Sequence, residues 1–486
     1  MEEDRALTEQ PVDAPSPILD GALIPHEETS FSLNNGQTIC VLVFFLVELY
    51  ELIIIAPTAA LIEVFICWQY FEKVDLAVIS RGRGINSAMC KNNYVQSELA
   101  TVLGWKAVFD SIPVFILSFL LEPCLARFGS SKLLVASLIG LIGSTIWFTF
   151  ICAYPETYPI KLVWASSIFL FCGGGLSQVA AVTHLVGSEL AGDANTSLIF
   201  HVLNVAYMVD ELLAPGLASF AMQTSLFLPI IIGICSLLMA IATVTRLPII
   251  GLAAPVGHLE QPNVAAVDTS RIIAALKNNR IYRDWEYVQQ SWNRNLIATL
   301  PIFFFGMFRP AALRVYLQYT SIRLKYTLSA AAAITSGVSA VNLVLFVSVP
   351  LIWAWMGGNA NRASRPEIDI RIVRYTLFLT CVGCIMIAWA ENISTLVTGS
   401  ILFVTSVGTR PSLLSLGIFL IGSDRKPHLF EILQIVENTS MVLSDFILQG
   451  ALRLALEQSR LWLGLPFLVM FSFNFIAYLF SIAIKI

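Results

Sequence analysis

Apolar runs of about twenty residues recur along nearly the whole chain, and that recurrence leaves few folds open. A bilayer core of about 30 Å takes roughly 20 apolar residues of helix, and backbone polar groups inside it must be satisfied within the element. The pattern predicts spans at 40–66, 101–121, 133–153, 162–184, 196–221, 226–245, 296–318, 330–355, 374–391, 397–421, 428–450 and 461–484. Strands of a membrane barrel would alternate with period two, and these runs do not. Only 13% of residues are charged and 57% are hydrophobic, whereas soluble domains carry about 25% charged residues. The expected fold is an all-α polytopic membrane protein with twelve transmembrane helices in two six-helix halves.

The polar stretches divide the chain. Residues 1–36 hold Pro11, Pro15, Pro17 and Pro25 and many acids against the single Arg5. A signal peptide needs a basic start and then an apolar stretch, so this segment reads as a disordered cytoplasmic tail. Residues 37–246 form the first half, 296–486 the second, and 247–295, with Pro255, Pro262 and a basic run from Arg271 to Arg283, the cytoplasmic linker between them. An even number of spans puts both termini on one side. Lys and Arg choose that side: Arg127, Lys132, Arg246, the linker, Arg362 to Arg374, Arg425 and Lys426 modestly outweigh Lys73, Arg81, Arg83, Lys91, Lys161, Arg323, Lys325, Arg453 and Arg460 opposite. The termini are therefore expected in the cytoplasm.

Several functional classes drop out. With net charge -4 and no basic patch, nucleic acid is not an expected partner. The cysteines are scattered without metal-ligand spacing, and Gly173, Gly174 and Gly175 follow no strand, so neither a metal nor a nucleotide cofactor is expected. Cys67 and Cys90 fall in the first outer loop, where they either form a disulfide or remain two thiols.

Charges inside apolar spans cost about 2.5–3.5 kcal/mol each on insertion scales, so each invites a functional reading. They are Glu48 and Glu51 in span one, Asp110 in span two, Asp210 and Glu211 in span five, Arg309 in span seven, Arg410 in span ten, and Glu437 and Asp445 in span eleven. Glu48 and Glu51 are three apart and share a helix face. Asp110 either pairs with Lys106 four residues earlier or faces a cavity. Asp210 and Glu211 are adjacent, so they point different ways.

The segments ICWQYFEKVD, CKNNYVQSELATVLGWKAVFDSIP, YPIKLVWASSIFLFCGGG, ELLAPGLASFAM, SVGTRPSLLSL, HLFEILQIVENTS and LGLPFLV together resemble fungal members of the major facilitator superfamily, over essentially all spans. The resemblance implies a transporter that rocks two halves about a central site, and fungal relatives that export metabolites or drugs. It also implies that spans one, four, seven and ten line the cavity, placing Arg309 and Arg410 opposite Glu48 and Glu51. That set, with Asp110, Glu211, Glu437 and Asp445, either binds substrate or a proton or stitches helices by static pairing. The expected partners are a small, largely apolar substrate and the bilayer, with the chain acting as a monomer in the plasma membrane.

Two motifs depart from the family. Its loop after span two reads G-x-L-A-D-R-x-G-R-R, whereas Glu122, Ala126, Ser130 and Ser131 stand here at four of those positions. Arg127 and Gly129 are retained, followed by Lys132. Ala126 accepts no hydrogen bond and Ser130 cannot replace a guanidinium fork, so the gate must be built differently. In span five, Pro215 and Gly216 keep a kink where drug antiporters carry a longer glycine run. The stripped gate and the intramembrane acids also admit another function: an intramembrane enzyme or receptor that no longer transports and acts on a lipophilic intermediate.

Overall fold

The computed structural model describes residues 34–74, 89–118, 120–247, 294–355, 365–421, 426–458 and 460–484. The expected tail (1–36) and linker (247–295) fall almost wholly outside them. Among the described residues, ten stretches are long and apolar enough to cross a membrane. Two shorter apolar helices, Leu228–Val244 and Ile393–Val404, occupy the places of spans six and ten. The architecture is the all-α two-half bundle that the pattern implied.

Where helices depart from the apolar windows, a named residue accounts for it. Span two begins at Asn93, eight residues before its window. Asn92 Oδ1 accepts the Val95 N–H at 2.8 Å, a side-chain N-cap that starts the helix among polar residues. Span four starts as a 3-10 helix, Ile160–Cys172, and continues as an α-helix from Gly175. Gly174 sits at φ 87 in the joint between them, a conformation that glycine adopts without penalty. A Cβ on the preceding Gly173 would overlap the backbone of Ser137 in span three.

Spans seven and ten are both broken. Span seven divides into Arg294–Gly306 and Phe308–Leu324. Span ten runs Ile393–Val404, then a 3-10 turn Thr405–Gly408, then Thr409–Ile421. Pro310 and Pro411 lie in the first turn after each break. A proline removes the hydrogen bond to the carbonyl four residues back and its ring clashes there, and the carbonyls concerned are those of Gly306 and Val407. The residue before each proline is an arginine, Arg309 in one span and Arg410 in the other.

Helical hydrogen bonding runs without interruption through Gly175–Thr224, yet His184 and Phe200 touch, with ring centroids 5.6 Å apart. Sixteen residues of straight helix would hold them about 24 Å apart. The chain therefore doubles back between them, and the one segment supplies both the end of span four and span five.

Among the described residues, the apolar clusters shared by the two halves lie toward one end. Ala56, Ala59 and Ala60 of span one and Met222 of span five pack with Leu317 of span seven and Leu328, Ala331 and Ala332 of span eight. Ala100 of span two joins a cluster with Leu448 and Leu452 of span eleven. At the end carrying the termini, the two clusters each belong to a single half: Cys40 to Leu247 in one, Leu296 to Ile484 in the other. Among the described residues, apolar clusters join the halves at the far end and stay within each half at the terminus end. The far end of the first half is further tied by a Cys67–Cys90 disulfide and by Lys91 Nζ against Glu63 Oε1 at 2.6 Å.

Candidate functional site

Most of the intramembrane charges assemble into pairs, and each arginine pair unites different spans. Arg309 donates from Nη2 to Glu211 Oε1 at 2.6 Å, joining span seven of the second half to span five of the first. Both side chains are buried. Arg314, five residues on, grips both carboxylate oxygens of Asp445 in span eleven. Arg410 does the same to Glu437, at 2.8 and 3.0 Å. Planar guanidinium forks suit such two-point contacts. Asp110 accepts from Lys106 Nζ at 2.6 Å and from Ser167 Oγ at 2.5 Å, so it ties span two to span four inside the first half.

Three acids remain over. Glu48 is buried, and Glu51 three residues on is half-buried. Neither makes a hydrogen bond or ion pair among the described residues. Glu48 lies within Coulombic reach of Glu51, Asp210 and Arg410, and Glu51 within reach of Arg314 and Asp445. Asp210 is 0% exposed, and neither of its carboxylate oxygens has a partner. On span five, Asp210 shares a face with Ala214 and Ala218, which pack on Ile53 of span one. Its neighbour Glu211 points to the other half. The adjacent acids thus divide their tasks, one crossing the seam and one facing span one.

The arrangement differs from the expected one at two arginines. Arg309 and Arg410 were to face Glu48 and Glu51. Arg309 instead holds Glu211 and Arg410 holds Glu437, because the proline breaks present each arginine to the neighbouring span. Arg410 keeps Glu48 within Coulombic reach. Its side chain is 59% exposed.

Arg314 escaped the reading of the sequence, although it lies in the same span, five residues after Arg309. The signal was present: any arginine in an apolar span calls for a partner. Aromatic rings form a wall nearby. Phe109 stacks on Trp164 at 5.4 Å, Trp105 lies 6.4 Å from Trp164, and Trp105 meets Phe446 of the second half at 5.8 Å. Asp110, which follows Phe109 and bonds Ser167, lies within Coulombic reach of Tyr50, between the two span-one acids.

The seam itself is built from small residues. A Cβ on Gly104 would stand 3.2 Å from the Gln449 Cβ of span eleven, and one on Gly216 would stand 3.0 Å from Ser336 Oγ of span eight. Ser336 Oγ donates to the Leu212 carbonyl at 2.7 Å, in the turn before Pro215. In the loop after span two, Leu121–Phe128 is a short helix ended by Gly129 at φ 80. Arg127 is exposed, with its guanidinium 5.5 Å from the Phe128 ring centroid, and Lys132 is exposed. The side chains of Glu122 and Ala126 lie outside what the structure describes.

No family model matches the chain. Among curated proteins, it is similar to an MFS efflux pump, atnC, of Emericella nidulans, 23% identical over 421 residues, covering 85% of this chain and 80% of that protein. It is also similar to the efflux pump ustT of Aspergillus flavus, 25% identical over 380 residues, covering 74% and 71%. Among solved structures, the human organic anion transporter MFSD10 (TETRAN) superposes with TM-score 0.59 at 15% identity, covering 92% of this chain and 100% of that one. A D-xylose–proton symporter superposes with TM-score 0.58 at 12% identity, covering 92% and 96%.

Proposed function

Because this chain belongs to the major facilitator superfamily and is an integral membrane transporter, we propose that it exports a small, largely apolar organic molecule by alternating access. The observation that carries the proposal is the one-ended closure. Apolar packing between Ala56–Ala60 and Leu317–Ala332 seals the far end, the Arg309–Glu211 pair sits beneath it, and among the described residues no apolar cluster joins the halves at the terminus end. With both termini in the cytoplasm, this is the state that loads cargo from inside. Export then needs the seal to part and the terminus end to close.

The small residues at the seam support the same reading. Gly104 against Gln449 and Gly216 against Ser336 let span two roll on eleven and span five on eight without large side chains interlocking. The three unpaired acids give the transporter somewhere to hold a proton against cargo, so coupling to the proton gradient is part of the proposal. In this account the protein acts as a monomer in the plasma membrane, with residues 1–36 as a cytoplasmic tail and 247–295 as the linker between halves.

Untargeted metabolite profiling of cells and medium tests the proposal, comparing a strain lacking the protein with its parent. Export requires one compound to fall in the medium and accumulate inside. If a precursor accumulates and its product vanishes from both compartments, the protein converts that intermediate and the export reading fails.

A further inference from the structure

We propose that the cargo is an organic cation with an aromatic or broad apolar body, its positive group seated among Glu48, Glu51 and Asp210 and its rings against Trp105, Phe109 and Trp164. The proposal rests on the transport reading and names the chemical class that the site takes.

Charge matching decides the sign. The central guanidinium groups are each committed, Arg309 to Glu211, Arg314 to Asp445 and Arg410 to Glu437. An anionic cargo would have to break one of these pairs and leave a carboxylate unpaired in the bundle. Breaking the buried Arg309–Glu211 pair that way is strongly unfavourable. Glu48, Glu51 and Asp210 make no ion pair among the described residues, the nearby Arg410 and Arg314 being held by Glu437 and Asp445, and Asp210 has both oxygens buried without a hydrogen-bond partner. A buried polar group keeps a partner in nearly every native structure, so Asp210 marks a place that something else fills. Since three acids converge there, the complement is a positive group.

The shape of the body follows from the wall. The Phe109–Trp164 stack and Trp105 offer ring faces, and Trp105 remains 43% exposed while touching Phe446 across the seam. Ring faces attract cations as well as apolar surface. A cationic aromatic molecule therefore satisfies both walls at once. A neutral one leaves the acids empty, and an anionic one is repelled by them.

Tetraphenylphosphonium and tetraphenylborate are matched in shape and opposite in charge, and so test the sign directly. Binding of each to the purified full chain in maltoside micelles is measured by equilibrium dialysis, with protein-free micelles subtracted. The expected result is saturable binding of the phosphonium and none of the borate. Asp210→Asn and Glu48→Gln are each expected to weaken phosphonium binding at least about tenfold, the loss of one charge-assisted contact. Glu156→Gln, at an exposed acid of the far end, is expected to leave it nearly unchanged. Equal binding of the two ions, preference for the borate, or no saturable binding of either overturns the proposal. Because wild type alone decides this, a variant that fails to fold does not rescue it. The assay needs no transport, so its failure leaves the export reading to be judged by the metabolite profiles.

Discussion

Arg309 and Glu211 come from opposite halves of the bundle and meet at 2.6 Å beneath the apolar seal. Removing one partner strands the other charge among buried groups, which costs about 3–5 kcal/mol, while replacing both with apolar residues of similar size is often neutral. Arg309→Met and Glu211→Leu are each expected to lower the thermal midpoint of the purified protein sharply, and the double variant to recover most of the loss. Additive losses would mean that the pair is not a coupled unit.

Asp210 behaves oppositely. A buried carboxylate with no partner costs stability rather than adding to it. Asp210→Asn is expected to leave the thermal midpoint unchanged or higher while export falls. A variant that unfolds in parallel with its loss of export would show that Asp210 supports the fold instead.

Arg309 and Arg410 each precede a proline at a break in their helix. Pro310→Ala and Pro411→Ala are expected to close the breaks in spans seven and ten, because alanine restores the N–H that proline lacks. Export is expected to drop while detergent stability holds, since straightened helices no longer present Arg309 to Glu211 or Arg410 to Glu437. Unchanged export in both variants would separate the breaks from function.

The Cys67–Cys90 bridge closes a loop of 23 residues by sequence separation. Chain-entropy arguments give it at most about 3–4 kcal/mol. Cys67→Ser with Cys90→Ser is expected to lower the thermal midpoint, and maleimide labelling of the unfolded chain to find two more thiols only after reduction. Labelling of those two without reductant would show that the bridge does not form.

The sequence carried the fold because apolar runs of spanning length are a strong local signal. Helix ends were less legible. The start of span two depends on Asn92 capping Val95, and the break in span seven on Pro310, features smaller than a hydropathy window. The site was legible as a set of charged residues but not as a set of partners. Glu211 and Arg309 lie 98 positions apart, and no spacing rule connects them. Arg314 sits only five residues beyond Arg309, and what distinguishes it is Asp445, which another span brings to it. Asp210 and Glu211 could be said to diverge from their adjacency alone. Which one crosses to the other half depends on how span five packs against span one.

Rocking of the two halves is the claim on which the account depends, and distances between spin labels test it most directly. One pair, at Lys132 and Arg371, reports the terminus end of each half; another, at Glu156 and Tyr326, reports the far end, and all four positions are exposed. Double electron–electron resonance is measured in an otherwise wild-type background and with Gly104→Phe, which forces a ring into the 3.2 Å approach to Gln449 at the seam. The wedge is expected to lengthen the far-end distance and shorten the terminus-end distance together. If the two distances do not change in opposite directions, the halves do not rock about the central site, and alternating access is contradicted.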